Sequence, residues 1–254
     1  MRSVESRDMA RGAVIRLALT PDAVAEAAAS EVLAILESAI AWRGEAHLAL
    51  SGGRTPAALH RALAARPFDG WPFVHVWFGD ERMVPPEHAD SNYHMACETL
   101  LDAVPVPAAQ IHRIEGERDP ADAARACAEA LSALAARQDG RAPAMDVLLL
   151  GMGTDAHTAS LFPGSPLLVD ADVESAPCAA AVFVPALHAW RVTFTPRTIL
   201  AARTVCVLVA GADKHPAIRR VLGESSPIAD APASLLLRHP ADVAWFIDSA
   251  ALFG

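Results

Sequence analysis

The sequence has few charged and few aromatic residues for its length. Charged side chains make up 20% of its 254 residues and aromatic side chains 6%, whereas hydrophobic residues make up 53%. This composition excludes wholesale disorder and predicts a sizeable core, in one large α/β domain or two small ones. Alanine dominates the hydrophobic share, which favours closely packed helices.

Closely spaced cysteine pairs and long hydrophobic runs are both missing. Cys97, Cys127, Cys178 and Cys206 form no CxxC pair, so we expect small buried thiols in a reducing compartment and no zinc site. No apolar run is long enough to span a membrane, and residues 1–16 are too charged for a signal peptide. The expected location is therefore the cytoplasm, without a membrane partner.

Basic residues are in the minority. Lysine and arginine number 21 against 30 acidic residues, which gives a formal net charge of -9 at pH 7. This balance argues against a nucleic-acid partner, which requires clustered cations. An anionic small molecule is still compatible, because a few cations focused in a cleft can outweigh the field of the whole protein.

Helical and strand patterns alternate along the chain. Helices are predicted over residues 21–42, 55–65, 91–101, 119–137 and 213–222, and strands over residues 46–50, 74–78, 147–150, 191–195, 204–209 and 243–247. This alternation indicates parallel βαβ units, hence an α/β fold with a mostly parallel sheet and helices on both faces. Because linkers are short, we predict a single domain over residues 1–254, with a helical or loop excursion near residues 85–120.

Three predicted strands end in glycine-containing turns, at the edge where parallel sheets bind ligands. The first turn, Ser51-Gly52-Gly53-Arg54-Thr55, opens a helix. Its glycines allow close backbone approach, and its free N–H groups, helix dipole, hydroxyls and arginine suit a phosphate. The alternative is an ordinary tight turn, and the loop is not a Walker A motif.

The second turn reads GMGTDAHT over residues 151–158. Gly151, Gly153 and Ala156 match a dinucleotide-binding pattern. The helix that could follow is very short, and no strand precedes Asp170 and Asp172 to carry an acid to a ribose. A nicotinamide cofactor is therefore not expected.

His157 lies on this second turn, two residues after Asp155. Histidine titrates near neutral pH, so His157 could exchange protons with water or with a leaving oxygen. The alternative is a structural histidine. Asp155 would either orient His157 or cap a helix.

The third turn places Asp80, Glu81 and Arg82 after the strand over residues 74–78. Two acids and an arginine at a strand end need partners if they are buried, and Arg82 could stabilise an oxyanion or hold a carboxylate. The alternative is a surface ion pair, which contributes little. Lys214 and Arg191 are weaker candidates, on a later turn and at the start of a later strand.

Five segments occur in one order across residues 51–214: SGGRTP, GDERMVPPEHADSNY, GMGTDAHTASLFPGSP, RVTFTP and AGADK. Together they resemble the 6-phosphogluconolactonase family. The resemblance implies a Rossmann-like α/β domain that hydrolyses the δ-lactone of 6-phosphogluconate in the oxidative pentose phosphate pathway. It implies neither a nicotinamide cofactor nor a metal, and the expected partner is the sugar-phosphate lactone.

The resemblance also implies roles for individual residues. His157 would deprotonate the attacking water and later help to protonate the leaving ring oxygen. Arg82 would stabilise charge on the lactone carbonyl oxygen, and Asp80 would order the site. Residues expected on the phosphate side are Ser51, Gly52, Gly53, Thr55, Arg191 and Lys214, while Asn92 would hold the loop after Arg82.

Two positions depart from the family pattern. Arg54 replaces the second serine of SGGSTP, which should help or at least be tolerated next to a phosphate. Ala156 replaces the glycine of Asp-Gly-His. If this position requires a positive φ, alanine costs on the order of 1 kcal/mol and could displace His157 slightly.

Two other functions stay open at this point. A glucosamine-6-phosphate isomerase-deaminase is similar in fold, but its segments resemble DGHIAFNEP and DEY rather than HTASLFP and DER. A non-catalytic sugar-phosphate sensor would need a docking or DNA-binding appendage. The chain is expected to be a monomer or a small homo-oligomer.

Overall fold

A seven-stranded parallel sheet forms the centre of the computed structural model, which describes residues 12–138, 140, 142–168, 175–223 and 226–254. The sheet order is β1-β10-β9-β6-β2-β3-β5, and all neighbouring strands are parallel. The strands within the described residues are β1 (Ala13–Ala18), β2 (Ala46–Leu50), β3 (Val74–Phe78), β4 (Asp80–Arg82), β5 (Ile111–His112), β6 (Val147–Gly151), β7 (Ala179–Val184), β8 (Ala189–Phe194), β9 (Val205–Val209) and β10 (Val243–Asp248). The predicted fold class, a mostly parallel α/β sheet, is confirmed.

Helices connect these strands. They are α1 (Pro21–Arg43), α2 (Arg54–Ala64), α3 (Asn92–Ala96), α4 (Pro120–Arg137), α5 (Pro196–Ala201), α6 (His215–Ile218) and α7 (Ser249–Phe253), and α3 and α6 each continue into a π-helical segment. The predicted start and stop residues lie at the two ends of α1. The Thr20 hydroxyl accepts a hydrogen bond from the amide of Ala23 at 3.2 Å, and Gly44 ends the helix at φ 81°.

Both faces of the parallel sheet are buried. Leu48 and Leu50 of β2 belong to the core on the side of α1 and α2, whereas Ala49 between them belongs to the core on the side of α4. Because successive strand residues point to opposite faces, this division places helices on each side. The continuous apolar runs of β6 and β9 follow from it.

A second, three-stranded antiparallel sheet, in the order β4-β8-β7, was not predicted. The strand expected over residues 191–195 was assigned to the parallel units, and this was wrong: β8 pairs antiparallel with β4 and β7. Only residues 185–188 separate β7 from β8, which is too short for a parallel crossover and requires a hairpin. The pairing places β4, which carries the DER segment, beside Arg191.

Some expectations fall on parts of the chain that the structure does not describe. Asp170 and Asp172 lie outside the described residues.

The four cysteines are free thiols, and Cys178 and Cys206 are buried. Within the described ranges, none of the helices combines the length and the apolarity that a bilayer crossing needs.

His60 of α2 is a buried titratable group in the core. Its Nδ1 lies 3.1 Å from the Thr99 hydroxyl, and that hydroxyl donates to the carbonyl of Met95 at 2.6 Å. The imidazole therefore donates from Nδ1, and its Nε2 is buried without a hydrogen-bond partner. Burial, with a smaller contribution from the charge of Arg61, lowers the pKa of His60 to about 4.

We expect this histidine to make the protein acid-sensitive. The unfolded chain takes up the His60 proton near pH 6.5, but the folded protein takes it up only near pH 4. Stability that is present above pH 6.5 is therefore lost as the pH falls to 4, by about 3 kcal/mol for this group. Urea unfolding at pH 7 and pH 4.5 should show a smaller loss in His60→Leu than in the native chain, and equal losses would contradict the assignment.

Candidate active site

A cavity of about 350 Å³ lies at the carboxyl ends of β2, β6 and β9. This volume suits a small metabolite. It is lined by residues 51–56, Asp80, Arg82, residues 151–153, His157, Ala159, Ser160, Phe162, Leu187, Arg191, residues 208–210 and Lys214. The structure thus brings the three predicted turns to one place, and every predicted site residue except Asp155 lines the cavity.

Asp155 contacts the cavity through His157. Its Oδ1 accepts a hydrogen bond from Nδ1 of His157 at 2.6 Å and from the backbone amide of His157 at 3.1 Å. Partial burial opposes ionisation of Asp155, but these hydrogen bonds outweigh it and hold the carboxyl pKa below its usual range. With the proton on Nδ1, the other imidazole nitrogen, Nε2, carries a lone pair that can accept a proton.

The His157 ring is held by stacking as well. It lies against Phe162 with ring centroids 4.1 Å apart and planes 25° apart. Its side chain remains 31% exposed, so it is both oriented and accessible from the cavity. This combination suits a group that exchanges protons with a ligand or with water.

Strained backbone flanks His157 on both sides. Ala156 has φ 69° and Ala159 has φ 47°, in the left-handed region that disfavours alanine. Position 156 thus has the positive φ that was considered as a condition for a cost of alanine there. Ala156 is fully buried, and its carbonyl accepts from the amide of Ala233 at 2.9 Å. The contact between Asp155 and His157 forms despite the alanine, and such strain is typical of functional turns.

Asp80 is buried and held by polar neighbours. Its Oδ2 accepts from the Ser160 hydroxyl at 2.6 Å. The side-chain amide of Asn92 donates to the Asp80 backbone carbonyl at 2.8 Å and to its Oδ1 at 3.3 Å. Asn92 therefore ties the start of α3 to the DER segment, as the resemblance implied, and Ser160 ties Asp80 to the turn that carries His157.

Glu81 has a structural role. Only 2% exposed, it accepts hydrogen bonds from the backbone amides of Arg82, Asn92 and Tyr93 at 2.7–2.8 Å and from the Ser91 hydroxyl at 3.1 Å. Burial raises the pKa of this carboxyl although the amide donors act in the opposite direction. In the described residues no side-chain ion pair joins Arg82 to either acid, so the surface ion-pair alternative is wrong.

Arg82 and Arg191 are cross-strand neighbours on β4 and β8. The Arg82 side chain donates to the backbone carbonyl of Asp90, whereas the Arg191 side chain makes no hydrogen bond or ion pair to any residue that the structure describes. Burial lowers the pKa of Arg191, and the charge of Arg82 lowers it further. Like charges directly opposite each other are destabilising, and an anion placed between them would relieve the repulsion.

The loop after β2 approaches the cavity with its backbone. Gly53 precedes α2 with φ 107° and provides no side-chain cap, which leaves the first amides of the helix available to a ligand. Gly52 cannot be replaced without a shift, because a Cβ there would lie 1.9 Å from Oδ1 of Asn92. The loop is therefore packed against the same Asn92 that holds Asp80.

Lys214 is the single lysine in the sequence. It lies in the turn after Gly211, whose amide donates to the Asp248 carboxylate at 3.1 and 3.2 Å. Asp248 is buried and also accepts from the amide of Ala251 at the start of α7. Sequence reasoning missed Asp248 and Ser160. An acid between an apolar strand and a helix is the signal that could have found Asp248.

The cavity is positively charged in a protein that is negative overall. Four cations line it, Arg54, Arg82, Arg191 and Lys214, against the single carboxylate of Asp80. Across the described ranges, no three histidine, cysteine or acidic side chains lie together in a way that could hold a metal. The arrangement can therefore bind an anionic ligand, accept a proton and stabilise developing negative charge.

The chain is similar over most of its length to known proteins of one enzyme family. Residues 19–245 match the family model of glucosamine-6-phosphate isomerases and 6-phosphogluconolactonases. The chain is 38% identical over 228 residues to a 6-phosphogluconolactonase of Nostoc sp., covering 87% of this chain and 89% of that protein. It is 35% identical over 237 residues to one of Streptomyces coelicolor, covering 90% and 89%. The structure of the Trypanosoma brucei 6-phosphogluconolactonase superimposes with a TM-score of 0.81 at 28% identity, covering 94% of this chain and 97% of that one.

Proposed function

The chain belongs to the family of glucosamine-6-phosphate isomerases and 6-phosphogluconolactonases, and we propose that it is a lactonase that hydrolyses 6-phosphoglucono-1,5-lactone to 6-phosphogluconate. One observation carries the proposal: a single cavity is lined by an imidazole that is paired with a carboxylate, by the guanidinium of Arg82 and by further cations. An ester carbonyl and a phosphate on one small molecule match these groups.

The phosphate of the substrate binds at the cationic side of the cavity. Arg191 and Lys214 supply charge there, and the residue 51–55 loop supplies backbone amides at the start of α2. Bound in this way, the phosphate fixes the position of the lactone ring relative to His157.

Hydrolysis begins when Nε2 of His157 accepts a proton from water. The water oxygen forms a bond to C1 of the lactone, and the carbonyl electron pair moves to its oxygen. Asp155 stabilises the resulting imidazolium through the 2.6 Å hydrogen bond to Nδ1. Arg82 stabilises the oxyanion, which develops in the transition state and is absent from the bound lactone.

The tetrahedral intermediate then collapses. The carbonyl re-forms, the bond between C1 and the ring oxygen breaks, and the imidazolium of His157 donates its proton to that oxygen. The products are a hydroxyl group and a carboxylic acid, which ionises in water. Asp80 does not exchange protons in this scheme; it positions the DER segment through Ser160 and Asn92.

A continuous pH-stat assay with freshly prepared 6-phosphogluconolactone tests the proposal. We expect hydrolysis well above the spontaneous rate, and a much lower rate with unphosphorylated gluconolactone. Binding of 6-phosphogluconate without acceleration would instead indicate a sugar-phosphate sensor. Release of ammonia from glucosamine 6-phosphate would indicate the isomerase-deaminase activity of the same family.

A further inference from the structure

Arg54 is an exposed cation at the first position of α2, and its side chain makes no hydrogen bond or ion pair to any residue the structure describes. The chain holds more acidic than basic residues, yet the Arg54 side chain is directed to a cavity whose only carboxylate, among its described lining residues, is Asp80. Arg54 is therefore a feature of this chain that its own intramolecular contacts do not explain.

Arg54 shares its cavity with other cations. It lies at the positive end of α2, behind a glycine cap that contributes no side-chain acceptor. Arg191 and Lys214 add two more positive charges to the same cavity. An arginine in this place costs the free protein stability and strengthens its attraction for an anion.

We propose that Arg54 is a specificity-determining residue that selects phosphorylated ligands by adding a direct cationic contact to the phosphate subsite. This inference rests on the proposed function. The phosphate lies away from the reacting carbon, so its contacts with Arg54 are the same in the ground state and in the transition state. Such uniform binding lowers KM and leaves kcat largely unchanged.

Arg61 offers a matched control on the same helix. It is exposed in the last turn of α2, its side chain also makes no hydrogen bond or ion pair to a described residue, and it does not line the cavity. Arg54→Ser and Arg61→Ser therefore remove the same charge from positions roughly 10 Å apart along the helix. Because both variants lose one positive charge, a difference between their KM values reflects where that charge lies and not the net charge of the protein.

Steady-state kinetics provide the first test. Arg54→Ser should raise KM for the phosphorylated lactone about tenfold, the effect of losing one charge-assisted contact, with kcat within about twofold. Turnover of unphosphorylated gluconolactone should not change, so discrimination between the two lactones falls about tenfold. Arg61→Ser should match the native protein in each respect.

Lys214 provides a binding measurement that does not depend on catalysis. As the single lysine of the chain, it can be followed by an amine-specific reagent and peptide mass spectrometry. We expect 6-phosphogluconate, and more weakly inorganic phosphate, to protect Lys214. The half-protecting concentration of 6-phosphogluconate should rise about tenfold in Arg54→Ser and stay unchanged in Arg61→Ser.

Thermal unfolding of the ligand-free protein gives a third readout of opposite sign. Arg54→Ser should raise Tm by about 1–3 °C, since it removes a cation from the positive end of a helix, whereas Arg61→Ser should lower Tm slightly. If the native protein is an active lactonase and both variants keep the native KM and the native protection of Lys214, the role of Arg54 is overturned but the proposed function is not. Failure of 6-phosphogluconate to protect Lys214 in the native protein would overturn the phosphate subsite as well.

Discussion

Replacement of His157 by glutamine is expected to lower kcat for lactone hydrolysis by about 10²–10⁴-fold, the usual contribution of a general base. Glutamine preserves a polar side chain of similar length but cannot accept a proton from water. The affinity for 6-phosphogluconate should change little, because the proposed phosphate contacts lie on other elements. The pH-stat assay measures the first effect and protection of Lys214 measures the second.

His94→Gln is the control for this experiment. His94 lies on α3, pairs with Glu98 at 3.5 Å, and does not line the cavity, so its replacement should leave kcat at the native value. A His157→Gln protein that folds, binds product and hydrolyses the lactone at the native rate would remove His157 from the mechanism. Another group would then have to activate the attacking water, while Arg82 could still stabilise the oxyanion.

The regular parts of the fold are predictable because their signals are local. Strands buried on both faces, such as β6 and β9, appear as short continuous apolar runs. The capping residues of α1, Thr20 and Gly44, are recognisable in the sequence. Elements without a local signal were missed. In β7 the alanine-rich segment AAAVFV has no strand-like alternation, and α7 is a single helical turn.

The small antiparallel sheet could not be predicted from local sequence signals, for a different reason. The β4 segment consists of three charged residues, Asp80, Glu81 and Arg82, which disfavour a strand by propensity. It becomes a strand through its pairing with β8, more than 100 residues later in the sequence. Tertiary pairing here outweighs propensity, and it is this pairing that places Arg82 opposite Arg191.

The location of the candidate site was predictable, whereas its supporting contacts were not. Parallel strands bring their carboxyl ends to one edge, so three turns from distant parts of the sequence were expected to meet. The contact between Ser160 and Asp80 joins residues 80 positions apart, and that between Asp248 and Gly211 joins residues 37 positions apart. Neither contact has a characteristic sequence separation, so neither can be recognised in a single sequence.

Gly153 shows how closely the backbone of the second turn is matched to His157. A Cβ at this position would lie 2.1 Å from Nδ1 and 2.3 Å from Cε1 of His157, and 2.6 Å from Oδ1 of Asp155. These distances are far below van der Waals contact, so a methyl group and the hydrogen-bonded pair cannot occupy the same space. The glycine that resembles part of a dinucleotide-binding pattern instead makes room for the imidazole and its carboxylate.

Gly153→Ala is therefore expected to displace His157 and to lower kcat by about 10²-fold, the effect of an error near 1 Å in catalytic geometry. Gly223→Ala is the informative comparison, because Gly223 does not line the cavity, a Cβ there meets no atom within 4 Å and φ there is not in the left-handed region. Its loss of activity should be far smaller, and the circular dichroism spectra of both variants should match that of the native protein. Equal activity in the two alanine variants would mean that the position of His157 against Asp155 does not govern the rate, and that the base acts from another arrangement.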